Sequence, residues 1–240
     1  MPRNDRAAEV WAALRPVTDP ELDESVVELG FVHHVAVTAG QVEVAFRLPT
    51  FWCGANFAFI MAEDMRDALR RLAWVETTDI RLVDHFAAPK INAGIARGAE
   101  FPDVFGGQAA DNLAAIRATF RRKAYLGRMS ALIELLRTEG RTPEEIVAMR
   151  VADLHAGRGR PGLDEAIARL LELRVAMGGP AGGDAPAFRM PDGAEIATNE
   201  LSSRLRDIRM TRRSAEANGE MCRMLLAARY SDRSPTERRR

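Results

Sequence analysis

Cys53 is the residue in this chain whose type and setting best support chemistry. It follows the bend Leu48-Pro49-Thr50 and precedes a run with strong helical spacing. A cysteine acts as ligand or nucleophile through its thiolate, and the unpaired N–H groups at a helix start favour that anion. Phe51 and Trp52 stand where they can shield the sulfur from bulk water. The competing reading is a small buried hydrophobe, the ordinary state of a lone cysteine. The other cysteine, Cys222, lies in a distant helical segment and carries no motif. His33 and His34 are the nearest imidazoles in sequence. Adjacent strand positions send them to opposite faces, so at most one could join Cys53, and a structural histidine is the default for both. Upstream, Asp19-Pro20-Glu21 forms an acidic turn, in which Asp19 and Glu21 also have a plain reading as turn former and surface charge.

The elements that must position these residues are readable around them. Ala7, Val10, Trp11 and Leu14 give an amphipathic helix over 5–16, ending before Pro16. Ser25 caps a short turn, Val26 to Leu29, that stops at Gly30. Two strands follow, with Phe31, His33, Val35 and Val37 on one face of the first and Val42, Val44, Phe46 and Leu48 on one face of the second. Gln41, Glu43 and Arg47 face outwards, and Ala39-Gly40 joins the strands as a short hairpin loop. Asn56 to Leu72 is a helix with a stripe of Phe57, Ile60, Met61, Met65, Leu69 and Leu72. Asp79 to Val83 is a third strand. The expected fold is α+β: a small three-stranded sheet with helices on one face, in the order α-β-β-α-β.

Asp19-Pro20-Glu21, Val26-Val27-Glu28-Leu29-Gly30, the hairpin at Gly40 and Thr50-Phe51-Trp52-Cys53 match in order and spacing a known pattern. The segment over about 7–86 resembles the bacterial SufT/PaaD-type iron–sulfur cluster assembly family, whose relatives include the N-terminal domain of some cluster-carrier ATPases. The resemblance implies that Cys53 is the metal- or cluster-binding thiolate. It also implies that Asp19 and Glu21 shape its surroundings, with Thr50 and Gly54 flanking it. The family pattern has Pro directly after this cysteine, where this chain has Gly54, which permits the same turn with less stiffness. The cargo implied is an iron–sulfur cluster or iron, held transiently. Clusters usually take four thiolates, so further ligands must come from a second protomer, a partner protein or a small thiol.

The rest of the chain reads as a mostly α-helical region. From Phe86 to Gly107 the pattern dissolves into a connection rich in Gly and Pro, which places a domain boundary between 98 and 99. The expected domains are thus 1–98, the assembly-like α+β domain, and 99–240, a helical extension. Helices are expected over 111–123, 125–138, 143–151 and 163–177, with Thr142 as N-cap and Pro143 at the first helical position of the third. A flexible linker over 178–187, a hairpin at Asp192-Gly193, a last helix over 215–230 and a disordered polar tail over 231–240 complete the reading.

Composition sets outer bounds. The chain has 240 residues, 47% hydrophobic and 28% charged, with 34 basic and 34 acidic side chains, so no bulk field draws it to nucleic acid or membrane. Residues 1–98 hold 10 basic and 14 acidic side chains (net −4), and 99–240 hold 24 and 20 (net +4). Two cysteines make no disulfide framework, no apolar run reaches a membrane-spanning length, and the N-terminus has no apolar leader core. A cytoplasmic protein is expected. No Walker loop or dinucleotide fingerprint supports nucleotide hydrolysis or hydride transfer.

Gly157-Arg158-Gly159-Arg160-Pro161 has the core of a minor-groove hook but lacks further basic flanks. Arg121-Arg122-Lys123 and Arg212-Arg213 read as solvated helix faces. Three functions are ordered by these observations. First comes a non-enzymatic maturation factor that works with a client metalloenzyme, such as an oxidoreductase or monooxygenase, or with other iron–sulfur assembly proteins, alone or as a homodimer. An interaction scaffold without thiol chemistry comes second, and a DNA-associated regulator third.

Overall fold

Val42, Val44, Phe46 and Leu48 alternate with Glu43, Ala45 and Arg47 along the central strand, and all four are buried to within 2% of full coverage. In the computed structural model, which describes residues 3–106, 110–157 and 159–231, this strand is β2 (Gln41–Arg47), flanked by β1 (Val32–Thr38) and β3 (Thr77–Val83). The sheet order is β1-β2-β3. β1 and β2 are antiparallel through the Ala39-Gly40 turn, whereas β2 and β3 run parallel, Arg47 lying opposite Val83. A parallel pair needs a crossover, and α2 (Ala55–Arg70) supplies it. With α1 (Arg3–Leu14) preceding the sheet, the expected α-β-β-α-β order is the observed one. Val10, Leu14, Phe59, Ile60, Met65 and Leu69 from the two helices close the core over the sheet.

One strand differs from its expected alternation. The register slips between Val32 and His34, so Val32 lies opposite Phe46 and His34 opposite Ala45. The bulge inserts His33 as an extra residue, which is exposed, and Val32 takes the core position instead. Val35 and Val37 return to the core face opposite Val44 and Val42.

The segment expected to be a bare connection after Phe86 holds two helices, α3 (Ala88–Arg97) and α4 (Phe101–Phe105). Its Gly and Pro residues are helix punctuation: Pro89 lies in the first turn of α3, and Gly98 ends it at φ 66. Phe101 then packs edge-on against Phe59, ring centroids 5.3 Å apart.

Packing divides the chain into two units, residues 1–117 with 215–240, and residues 118–214. The expected boundary at 98/99 falls within the first. α5 (Ala110–Thr138) and α9 (Thr198–Ser231) each contribute residues to both, while α6 (Pro143–Ala148), α7 (Val151–Ala156) and α8 (Pro161–Ala176) belong to the second. That second unit has its own core of Met129, Leu132, Ile133, Ile146, Val151, Ile167, Leu170 and Phe188, among others.

The expected cap of α6 forms in full: Thr142 Oγ1 accepts from the Glu145 amide at 3.2 Å, and Glu145 Oε2 accepts from the Thr142 amide at 2.9 Å. The helix stops at Ala148 rather than 151 because Met149 and Val151 exchange backbone hydrogen bonds with Ala187 and Ala185. Asp192-Gly193 makes a turn closed by Met190 N–H to Ala194 O at 2.9 Å, without flanking strands. Arg174 is buried and ties the 178–190 segment down, donating to Pro186 O at 2.9 Å and to Tyr125 Oη at 3.0 Å.

α9 begins far earlier than the expected 215, because Leu201, Leu205 and Ile208 recur at helical spacing and are buried. The polar tail from 232 onward and Arg158 lie outside the described residues.

Candidate functional site

Parallel pairing of β2 and β3 brings the exits of both strands to one edge of the sheet. The loop after β2 carries Thr50 to Gly54, and the loop after β3 carries Asp84 to Ala87. Phe86 N–H donates to Phe51 O at 3.2 Å, joining the two loops. Cys53 is half-buried with a free thiol. Gly54 is the N-cap of α2 at φ −57, so Cys53 sits one residue before the cap, as its sequence position implied.

Thr50 Oγ1 lies 3.2 Å from Cys53 Sγ and 3.3 Å from the Trp52 amide nitrogen. The Trp52 N–H donates to the hydroxyl, which keeps its own proton and a second lone pair for the sulfur, so either atom can serve as donor in the Thr50–Cys53 hydrogen bond.

His85 holds the cysteine backbone. Its Nδ1 accepts from Ala87 N–H at 3.2 Å, so Nε2 carries the proton and donates to the Cys53 carbonyl at 2.7 Å. Burial holds this imidazole below its usual titration range. It is thus a neutral positioning group at the site. Thirty-two residues separate it from Cys53, and nothing in their spacing announces the contact. The signal was available only through the parallel register, which sets the residue after β3 beside the loop after β2.

The aromatic residues near Cys53 in sequence, and Phe86, are open to solvent. Trp52 is 74% exposed, Phe51 42% and Phe86 45%. They pack on one another, Trp52 stacking on Phe86 at 5.4 Å and meeting Phe51 edge-on at 5.0 Å. The three rings form an open aromatic ledge on the two loops that carry Cys53 and His85.

Asp19 is buried, at 8% exposure. Its Oδ1 accepts from the amides of Glu21 and Leu22 at 2.9 and 3.0 Å, closing the acidic turn. Burial outweighs those two hydrogen bonds and raises its pKa to about 6. Glu21 is exposed on the same turn.

α9 brings Cys222 to this neighbourhood. Burial pushes the Cys222 thiol up to about 11, and the charges of Asp19, Cys53, Glu21 and Glu24 act on it in the same direction. The two cysteines pack against one apolar core, with Val17, Leu22, Leu29 and Leu48 among its members. Among the described residues no three His, Cys, Asp or Glu side chains are grouped to hold a metal ion. His33 is exposed on the far side of the bulge, and no contact joins it to Cys53.

The basic signals set aside earlier are accounted for differently. Arg160 pairs with Glu139 and donates to Gly157 O, and Arg212 pairs with Glu134 at 2.7 Å. No helix among the described residues is long and apolar enough to cross a membrane.

Residues 7–81 match the family model of iron–sulfur cluster assembly proteins. The match is confined to the N-terminal segment. An iron–sulfur cluster carrier protein from Synechocystis sp. is 38% identical over 73 residues, covering 30% of this chain and 20% of the carrier's length. The chain therefore spans about a fifth of the curated relative it matches. Cys53 and its flanking Thr50 and Gly54 lie within the matched stretch, as do Asp19 and Glu21. His85, Phe86 and the whole of α9 lie beyond it.

Proposed function

We propose that this protein is a non-enzymatic maturation factor that assembles, carries or transfers an iron–sulfur cluster, or iron, and that Cys53 is the thiol that receives the cargo. The reading is carried by one observation: within the family-matched stretch stands a half-buried, free cysteine whose sulfur is hydrogen-bonded to Thr50 Oγ1. A thiol held in this way is a soft ligand that can be charged and discharged. Asp19 and Glu21 shape the turn nearby, and Gly54 opens α2 behind the sulfur. The first unit, residues 1–117 with 215–240, supplies the cargo chemistry, and residues 118–214 are the part that fits a particular client. The client is a metalloenzyme, an oxidoreductase or an oxygenase such as a diiron monooxygenase, or another iron–sulfur assembly protein.

The ledge of Phe51, Trp52 and Phe86 supports a docking step, since exposed aromatic groups of this kind are typical of contact surfaces. The same ledge supports a second reading, a scaffold that docks a metalloenzyme without thiol chemistry. Anaerobic reconstitution with ferrous iron and sulfide separates the two, followed by transfer to an apo-ferredoxin acceptor. Cys53→Ala should abolish cluster formation and transfer while the fold persists. Unchanged loading and transfer would remove the thiol role and leave the scaffold.

A further inference from the structure

Arg229, near the end of α9, reaches the two loops that carry Cys53 and His85. The ladder of β2 and β3 ends at the pair of Arg47 and Val83. The carbonyls of Leu48 and Asp84 lie one residue past that pair, where the two strands give way to loops. Arg229 donates to Leu48 O at 3.0 Å through Nη1 and to Asp84 O at 2.6 Å through Nη2. A guanidinium is a rigid planar fork, so carbonyls held by its two arms are held at a set separation. Tyr230 extends the hold to the end of β2, its ring centroid lying 3.9 Å from the Arg47 guanidinium.

The exit of β3 that Arg229 grips is a bent one. Asp84 has φ 54, a left-handed conformation that costs any residue with a Cβ, aspartate less than most. Such a backbone persists where its surroundings hold it, and the hydrogen bond from Arg229 to Asp84 O is one such hold. The bend sets the course of the residues that follow. His85 Nε2 donates to Cys53 O at 2.7 Å, and Phe86 N–H donates to Phe51 O at 3.2 Å. On the other loop, Leu48 stands five residues before Cys53. A line of contacts therefore runs from Arg229 through Asp84 and His85 to the backbone of Cys53.

We propose that Arg229 is a positioning residue for the Cys53 thiol, acting through Asp84 and His85, on the reading that Cys53 receives the cargo. Arg229 sets the spacing of the two strand exits. That spacing sets the reach of His85, and His85 fixes the carbonyl of the residue whose sulfur must meet the cargo. Arg229 and His85 both lie outside the family-matched stretch, so this chain presents its thiol with residues that the matched stretch does not contain. With the brace released, the loop opens more often, and the half-buried thiol is both easier to reach and less fixed in direction.

The test uses the full chain and two readouts, imidazole NMR and the iodoacetamide alkylation rate of Cys53. The chain has four histidines. At pH 7 the wild-type protein should show a slowly exchanging Nε2–H resonance of a neutral imidazole that His85→Ala removes. Arg229→Met should remove or broaden that resonance. Arg223→Met, which breaks the ion pair with Glu24 on the same helix, should leave it in place. Arg229→Met and His85→Ala should each raise the alkylation rate by about 2–10-fold, as expected for one hydrogen bond. The double variant should be no faster than the faster single one, because both changes release the same brace. Arg229→Lys keeps the charge without the fork and should raise the rate by a smaller factor. A wild-type spectrum without the His85 resonance overturns the inference even if a variant fails to fold. An Arg229→Met protein that keeps the resonance, a lysine variant that matches wild type in both readouts, or a double variant whose rate gain is the product of the single gains overturns it as well. Unchanged cluster loading by Cys53→Ala would instead remove the cargo reading, a separate result that alters neither readout in the other variants.

Discussion

Asp19→Asn should make this protein more stable at neutral pH, and the gain should vanish in acid. A carboxyl at about 6 in the folded state, against 3.8 in the unfolded chain, binds more protons when folded. Stability therefore falls as pH rises from about 4 to about 6, and the loss is complete above that window. The difference corresponds to about 3 kcal/mol, a large fraction of the 5–15 kcal/mol typical of a folded domain. Asparagine keeps an Oδ1 acceptor for the Glu21 and Leu22 amides and removes only the charge.

Urea unfolding at several pH values measures the effect. Trp11, Trp52 and Trp74 all fall in the first unit, so their fluorescence follows the part that contains Asp19. At pH 7.5 the variant should exceed wild type by about 1–3 kcal/mol, and at pH 4 the two should agree. His85, held below its usual range by burial, acts in the opposite sense: its contribution is present above the unfolded imidazole value and lost as pH falls. It is common to both proteins and cancels in the difference. Asp19→Ala, which leaves both amides without their acceptor, should fall about 1–3 kcal/mol below Asp19→Asn at every pH. An Asp19→Asn protein less stable than wild type at pH 7.5, or a difference that ignores pH, would refute the reasoning.

Thr50→Val removes the hydroxyl that is hydrogen-bonded to Cys53 Sγ, and should change the rate of iodoacetamide alkylation of Cys53 at pH 7 by about 2–10-fold, as expected for one hydrogen bond. Mass spectrometry of the labelled peptide reads it, and an unchanged rate removes Thr50 from the site. Arg229→Met strips the strand-end carbonyls of Leu48 and Asp84 of their charged donor, and should cost about 1.5–3 kcal/mol. Hydrogen exchange should show lost protection over 219–231 with α2 unaffected; uniform loss across the unit would contradict a local clasp. Gly54→Pro suits a residue at φ −57, where an added Cβ meets the movable Asn56 Oδ1 at 2.7 Å. It should stabilise by about 0.4–1 kcal/mol through the unfolded chain, and a fall in melting temperature would show that the cap conformation is not Pro-compatible.

What the sequence disclosed follows a physical rule. Features fixed by neighbours a few residues away were legible: the alternation of β2, the stripe of α2, the Thr142 cap and the position of Cys53 just before a helix. Features fixed by distant chain were not. His85 reaches Cys53 only because β2 and β3 pair in parallel, and α6 ends early only because 185–187 pairs with 149–151. The bulge at His33 shifts which residues face the core, and simple alternation has no means of marking it. The start of α9 is a different case. Leu201, Leu205 and Ile208 were visible at helical spacing, but the polar residues between them masked the stripe. The thiol site itself was half legible: the residue was readable and its partners were not.

The family-matched stretch ends at residue 81, before three of the groups that define the corner around Cys53. His85 fixes the cysteine carbonyl, Arg229 joins the two strand ends, and α9 packs Cys222 against the same core. A chain that kept only the matched stretch would retain the thiol and its Thr50 partner but would lose the histidine brace. It would also expose the surface that Leu226 covers near Gly30, and leave the Leu48 carbonyl to water. The C-terminal turns of α9 are thus part of the first unit's packing as well as an addition to its sequence. Arg223, Leu226 and Arg229 hold that helix in place, against Glu24, Gly30 and the exits of β2 and β3.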